Sequence, residues 1–165
     1  MEGLMMHYPL TTNTILEYGN SVFHHKKIIT FLPDGTRHQY TFRDMYTRSK
    51  QLANALINQL GITKGDTVGT FAWNHGPHVE LYYAIAGIGA VCHTINIRLS
   101  SQQTTFIINN SEDKVIFVDA TLVPLLEKIA SLIETVQCFV IIIAKKDFKT
   151  SLSKIVMYET LLAEE

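Results

Sequence analysis

The chain has 165 residues, of which 47% are hydrophobic and 18% charged, with nine Gly and four Pro. This apolar share is enough for a packed core and excludes collagen-like, low-complexity and disordered classes. Fourteen basic against 15 acidic residues leave a net charge of −1, which gives no electrostatic footprint for nucleic acid or anionic lipid.

In chain order, the pattern predicts a helix around Thr14–Phe23 and then two β-rich runs, Lys27–Leu32 and Arg37–Thr41. Pro33-Asp34-Gly35-Thr36 between them has the chemistry of a hairpin turn, because Pro presets φ and Gly accepts a positive one. Thr41 with Asp44 forms a capping-box signature ahead of a helix whose apolar residues recur from Phe42 to Leu60, with Gly61 as its stop. A strand follows over Thr67–Trp73, and Asn74-His75-Gly76-Pro77 supplies cap, turn and first-turn proline for a helix over Val79–Gly89. That helix has almost no polar face, so it is expected to be heavily buried. Then come a strand at Ala90–Ile95, a helix capped by Ser100 with Gln103 and running to Asn110, and a strand at Lys114–Asp119. A helix over Leu122–Ile133, a strand over Val136–Ala144 and an amphipathic piece over Ile155–Leu162 complete the series. Alternating strands and helices predict an α/β fold, a mostly parallel sheet with helices on both faces, and the hairpin is expected as its antiparallel edge. The expected organisation is an arm at 1–40, an α/β core at 41–145 and a tail at 146–165.

No apolar run reaches the roughly 20 residues of a membrane-spanning helix, and Met1–Leu10 lacks a secretory pattern; a cytoplasmic location is the expectation. Cys92 and Cys138 lie in apolar, β-branched runs and are expected to be inert core thiols.

In parallel sheets, ligands meet the C-terminal ends of strands, which directs attention to Trp73-Asn74, His93 to Arg98 and Asp119-Ala120. Neither GxGxxG nor GxxxxGK[ST] is present, and Gly87 and Gly89 end a helix rather than begin one, so packing and capping explain them. His75 and His78 stand three apart at a helix start, but no carboxylate or thiol partner accompanies them at ligand spacing. They are expected on the helix surface, and His24-His25 in a solvated turn. Asp119 lacks the acidic pair that a phosphoacceptor needs and is expected to cap the next helix. The string His93-Thr94-Ile95-Asn96-Ile97-Arg98 is the densest polar cluster; it suits a substrate contact and a structural turn equally.

Several runs then resemble one family. Tyr40-Thr-Phe-Arg-Asp44, Leu-Gly-Ile-Thr-Lys-Gly-Asp-Thr-Val at 60–68, Trp73-Asn74-His75, Gly89-Ala-Val-Cys-His-Thr-Ile-Asn-Ile-Arg-Leu99 and Asn109-Asn-Ser-Glu-Asp-Lys-Val-Ile-Phe-Val-Asp119 resemble the N-terminal part of AMP-forming acyl-CoA synthetases. The likeness is to the branch of medium- and long-chain fatty-acid:CoA ligases, with Ile97 where the pattern commonly has Pro. It implies a partial N-terminal subdomain of an enzyme that joins a fatty acid to ATP, releases pyrophosphate and exchanges AMP for coenzyme A, with Mg as the metal. It also implies that the phosphate loop, adenine motif, ribose-binding Asp and catalytic Lys follow this region, since Thr150-Ser-Leu-Ser-Lys154 has no glycine to curl around phosphates. The expectation is therefore a fragment without catalytic residues or a bound cofactor of its own. It would meet fatty acid, ATP and CoA through the rest of the enzyme, and the resemblance further implies a possible homodimer. Trp73, Asn74, His93, Thr94, Asn96 and Arg98 are the residues expected to be substrate-proximal or scaffold. The alternative is a stand-alone α/β small-ligand-binding or assembly module derived from such a ligase.

Overall fold

The structure, a computed structural model, describes residues 3–4, 7–32, 35–145 and 147–165. The turn expected at Pro33-Asp34 lies outside the described residues. Helix α1 (Thr12–Phe23) leads into β1 (Lys27–Phe31) and β2 (Arg37–Thr41), which pair antiparallel with Lys27 opposite Thr41 and Phe31 opposite Arg37. The order continues with α2 (Phe42–Asn58), β3 (Thr67–Phe71), α3 (Gly76–Gly87), β4 (Val91–Thr94), α4 (Ser101–Asn110) and β5 (Val115–Asp119). Last come α5 (Val123–Glu127), a single 3-10 turn at Ala130–Leu132, β6 (Cys138–Ile142), β7 (Ile155–Met157) and α6 (Tyr158–Ala163).

Strands β4-β3-β5-β6-β7 form one sheet in that order, every pair parallel. Successive residues of a strand point to opposite faces, so the apolar β5 divides its side chains between two cores. Val115 and Phe117 join Leu52 and Leu56 of α2, Leu81 and Ile85 of α3, and Leu161 and Leu162 of α6 on one face. Ile116 and Val118 join Ile108 of α4 and Val123 and Leu126 of α5 on the other. Both predicted capping boxes form. Asp44 N–H donates to Thr41 Oγ1 at 3.2 Å while Thr41 N–H donates to Asp44 Oδ2 at 2.8 Å, and Ser100 and Gln103 repeat the exchange.

Three expectations change. The hairpin is not an edge of the main sheet but a separate two-stranded sheet. It leans on the start of α3 instead, where Gly76 N–H donates to Thr30 Oγ1 at 3.2 Å and Tyr40 lies over Gly76 so closely that a Cβ there would sit 2.7 Å from the phenol oxygen. The helix expected over Leu122–Ile133 stops at Glu127, because the Asn109 side chain takes backbone groups beyond it: its amide donates to Leu132 O at 2.9 Å and its oxygen accepts Glu134 N–H at 3.0 Å. The expected amphipathic piece is divided: Ile155–Met157 is a strand, since the β-branched Ile155 and Val156 find the open edge of β6, and α6 begins at Tyr158.

The heavily buried α3 holds along one face only: Leu81, Ala84 and Ile85 are buried while Val79 and Tyr82 are exposed. Gly89 follows it with φ of +78°, the stop-signal geometry that a side chain resists. No helix among the described residues is long and apolar enough to cross a membrane.

Candidate functional site

From β3 the chain crosses to β4 on one side and then returns to β5 on the other, so the sheet's switch point lies between the C-terminal ends of β3 and β5. Trp73 and Asn74 leave β3 at this point, and Asp119 is the last residue of β5. Asp119 is 1% exposed, and its Oδ2 accepts the Trp73 backbone N–H at 2.6 Å. Both its oxygens lie 3.0 Å from His75 Nε2. His75 caps α3 with its ring, its Nδ1 accepting His78 N–H at 3.1 Å. An acceptor Nδ1 carries no proton, so neutral His75 bears its proton on Nε2 and donates it to Asp119. His78 takes the opposite tautomer: Nδ1–H donates to Trp73 O at 3.0 Å, and Nε2 accepts the Thr70 hydroxyl at 3.1 Å. Burial holds the His78 ring below its ordinary pKa, against the opposing pull of its bond to the Trp73 carbonyl. The Trp73 indole N–H donates to Thr121 Oγ1 at 3.1 Å.

The two histidines expected on a helix surface are thus buried, 4% and 5% exposed, because they serve as cap and strand-end clamp where α3 starts against the sheet. Asp119 does not cap the following helix, whose N-cap Leu122 has no side-chain cap bond; two donors at the end of β3 claim its carboxylate. All four imidazole nitrogens are engaged by protein groups, which leaves no lone pair for a metal. His24 and His25 occupy the turn after α1, as expected.

The His93 to Arg98 string divides. His93 stands opposite Gly69 and Thr94 opposite Thr70, so their side chains take opposite faces of the sheet. His93 Nδ1 lies 2.8 Å from Asp113 Oδ2 and 3.0 Å from Ser111 Oγ. Both partners sit on the same ring nitrogen, whereas a proton relay needs one on each side of the imidazole. Asp113 is fully buried, and burial pushes its carboxyl above the usual range while His93 pulls it back. Asn96 Oδ1 accepts Arg98 N–H at 3.0 Å and fixes the turn after β4. Thr94, Asn96 and Arg98 are exposed, and Arg98 makes no ion pair among the described residues. Trp73 and Asn74, also exposed, are the members of the expected set that the buried network holds at the switch point.

Sequence reasoning missed a second cluster. Glu80 of α3 is 1% exposed; it accepts Arg48 Nε–H of α2 at 2.9 Å and the Tyr158 hydroxyl of α6 at 2.6 Å. The Arg48 guanidinium makes two further bonds to Glu159, at 2.7 and 3.0 Å, and its carbon sits 5.7 Å from the Tyr158 ring centre. Burial and the Glu80 charge both raise the Tyr40 and Tyr158 phenols well above their ordinary value. These groups line a cavity of about 860 Å3 between the hairpin, α2 and the ends of β6 and β7. The available signal was Glu80 itself, a carboxylate in an otherwise apolar helix.

Neither cluster offers a nucleophile. The free Cys92 and Cys138 are half-buried; burial pushes the Cys92 thiol up to about 11 and raises Cys138 as well, so both remain protonated near neutrality. At the segment rejected as a phosphate loop, Glu127 accepts the Thr150 hydroxyl at 2.8 Å and Ser151 N–H at 2.6 Å. A carboxylate occupies the donors that a phosphate would use.

The family described as AMP-binding enzyme matches residues 18–159. A long-chain-fatty-acid–CoA ligase of Thermus thermophilus is 39% identical over 137 residues, 83% of this chain and 25% of that protein. A medium-chain-fatty-acid–CoA ligase of Ectopseudomonas oleovorans is 32% identical over 165 residues, 99% of this chain and 30% of that protein. Among solved structures, the anthranilate CoA ligase AuaEII in complex with anthranoyl-AMP superposes with a TM-score of 0.78 at 23% identity, covering 96% of this chain and 28% of that one. A fatty acyl CoA synthetase of Mycobacterium tuberculosis gives 0.67 at 23% identity, covering 91% and 27%; these two likenesses concern the fold. The chain therefore spans between a quarter and a third of the length of the proteins it matches. With the family match running from α1 into α6 and so taking in both clusters, the chain belongs to the AMP-binding enzyme family.

Proposed function

We propose that these residues form the first α/β layer of an ATP-dependent fatty-acid:CoA ligase, which makes acyl-CoA, AMP and pyrophosphate by way of an acyl-adenylate. The observation that carries this reading is the 39% identity to a long-chain-fatty-acid–CoA ligase across 83% of the chain. Within that layer, Trp73 and Asn74 are the substrate-proximal pair, a role supported by their exposure at the switch point and by the buried bonds behind them. His75, His78 and Asp119 act as scaffold.

The layer does not adenylate by itself. ATP, Mg and CoA serve the ligase reaction, but the polar groups of this layer do not fit a triphosphate, because Glu127 holds the Thr150 and Ser151 donors and Asp119 is committed to two N–H groups. Unstabilised charge on the transferring phosphoryl group forfeits what is usually the largest catalytic term. A fatty-acid-dependent ATP–pyrophosphate exchange assay on the 165-residue chain is expected to show no turnover above the protein-free rate. Clear acid-dependent exchange would overturn the proposal.

A further inference from the structure

The near-zero charge of the chain is unevenly distributed. From His24 to Arg43 it carries four Lys or Arg and three His against one carboxylate, whereas the rest carries ten Lys or Arg against 14 carboxylates. The basic stretch is the hairpin with its two junctions. Lys26, Lys27, Arg37 and Arg43 are all exposed, and none of them makes an ion pair among the described residues. Asp44, the carboxylate that follows Arg43, is held by the Thr41 backbone N–H at 2.8 Å and the Thr41 hydroxyl at 2.7 Å.

Strand register sets this charge around an apolar centre. Directly opposite residues of an antiparallel pair share a face, so Lys27, Ile29 and Phe31 of β1 stand with Gln39 and Arg37 of β2 on one side of the hairpin. The other side is packed against α3, through Thr30 at the Gly76 N–H and Tyr40 over Gly76. On the outer side Ile29 is 49% and Phe31 70% exposed, with Arg37 directly opposite Phe31. We propose that this outer face is a docking surface for an anionic lipid bilayer, with Ile29 and Phe31 entering the acyl boundary and Lys27 and Arg37 meeting the anionic headgroups.

The partner follows from the combination of groups. Exposed aliphatic and aromatic side chains gain free energy by leaving water, and unpaired cations gain it from a concentrated negative charge. A bilayer with anionic headgroups supplies both at one surface. The long stems of Lys and Arg let their charged heads stay among the headgroups while the apolar pair sits deeper. A nucleic acid offers the charge but leaves Ile29 in water. A second copy of the same face brings cations towards cations, and none of the five residues on that face is acidic.

Vesicle co-sedimentation of the full chain tests the surface, comparing phosphatidylcholine alone with phosphatidylcholine holding about 30% phosphatidylserine. The chain is expected to pellet with the anionic vesicles and not with the neutral ones, and to be released in about 1 M salt, where the screening length falls to about 3 Å. The double variant Lys27→Gln, Arg37→Gln is expected to bind the anionic vesicles about thirtyfold more weakly. Phe31→Ser is expected to bind them about tenfold more weakly, because the apolar contact is lost while the charges stay. All three side chains are exposed, so the far-ultraviolet circular dichroism of both variants is expected to match the wild type. If either variant does not fold, the lipid and salt dependence of the wild-type chain still decides. No binding to anionic vesicles, equal binding to both vesicle types, or undiminished binding by a folded variant overturns the proposal. Tighter binding to a single-stranded oligonucleotide than to the anionic vesicles assigns the patch to a polyanion and overturns it as well.

Discussion

Arg48→Met is expected to lower stability by about 3–5 kcal/mol, read by urea denaturation followed by far-ultraviolet circular dichroism. Methionine keeps most of the stem that packs beside Tyr158, so the loss reports on charge rather than volume. Without the guanidinium, the Glu80 carboxylate, 1% exposed in the native chain, is left beside neutral phenols, with the Tyr158 hydroxyl donating to it. Removing one partner of a buried pair leaves an uncompensated charge, which costs more than the pair contributes when intact. The same change cuts the bidentate bond to Glu159 and so removes one of the ties between α2 and α6. Adding Glu80→Gln to Arg48→Met is expected to restore part of the loss, because the neutral amide still accepts the Tyr158 hydroxyl. A double variant less stable than Arg48→Met alone would show that Glu80 contributes through something other than its charge.

Asp119→Asn is expected to cost about 2–3 kcal/mol despite its near-identical shape. The carboxylate offers acceptors to two donors, Trp73 N–H and His75 Nε2–H. An amide offers one oxygen and two further N–H groups, so one buried donor must face another. Asn74→Ala, on the exposed side of the same turn, is expected to change stability by less than about 0.5 kcal/mol. If the two substitutions have equal effects, the strand-end network does not hold the turn.

What the sequence makes legible here is local. Thr41 with Asp44 and Ser100 with Gln103 announce their helices because capping boxes are complete within four residues, and the apolar run of β5 announces a strand buried on both faces. The strand ends are legible too: parallel topology alone directs attention to Trp73-Asn74, His93 to Arg98 and Asp119-Ala120. The roles of His75, His78 and Asp119 are not, because the bond that joins them closes a separation of 44 residues. A pair of histidines at a helix start reads as surface until a carboxylate from a later strand is brought beneath it. The Arg48, Glu80 and Glu159 cluster spans 32 and 111 residues and has even less local signal. Strand β7 depends on a partner as well: three residues pair with β6 only because the sheet edge is there. Long-range polar pairing is the part of this molecule that periodicity cannot carry.

The switch-point histidines are spent on architecture, each ring held in one tautomer by its hydrogen bonds. Long-range nitrogen–proton correlation spectra of the imidazoles at about pH 7.5, above the ordinary histidine range, read the proton position on each ring. The expected spectra place a proton on Nε2 of His75 and on Nδ1 of His78, with no averaging between tautomers. Averaged signals, or the reverse tautomer at either ring, would contradict it.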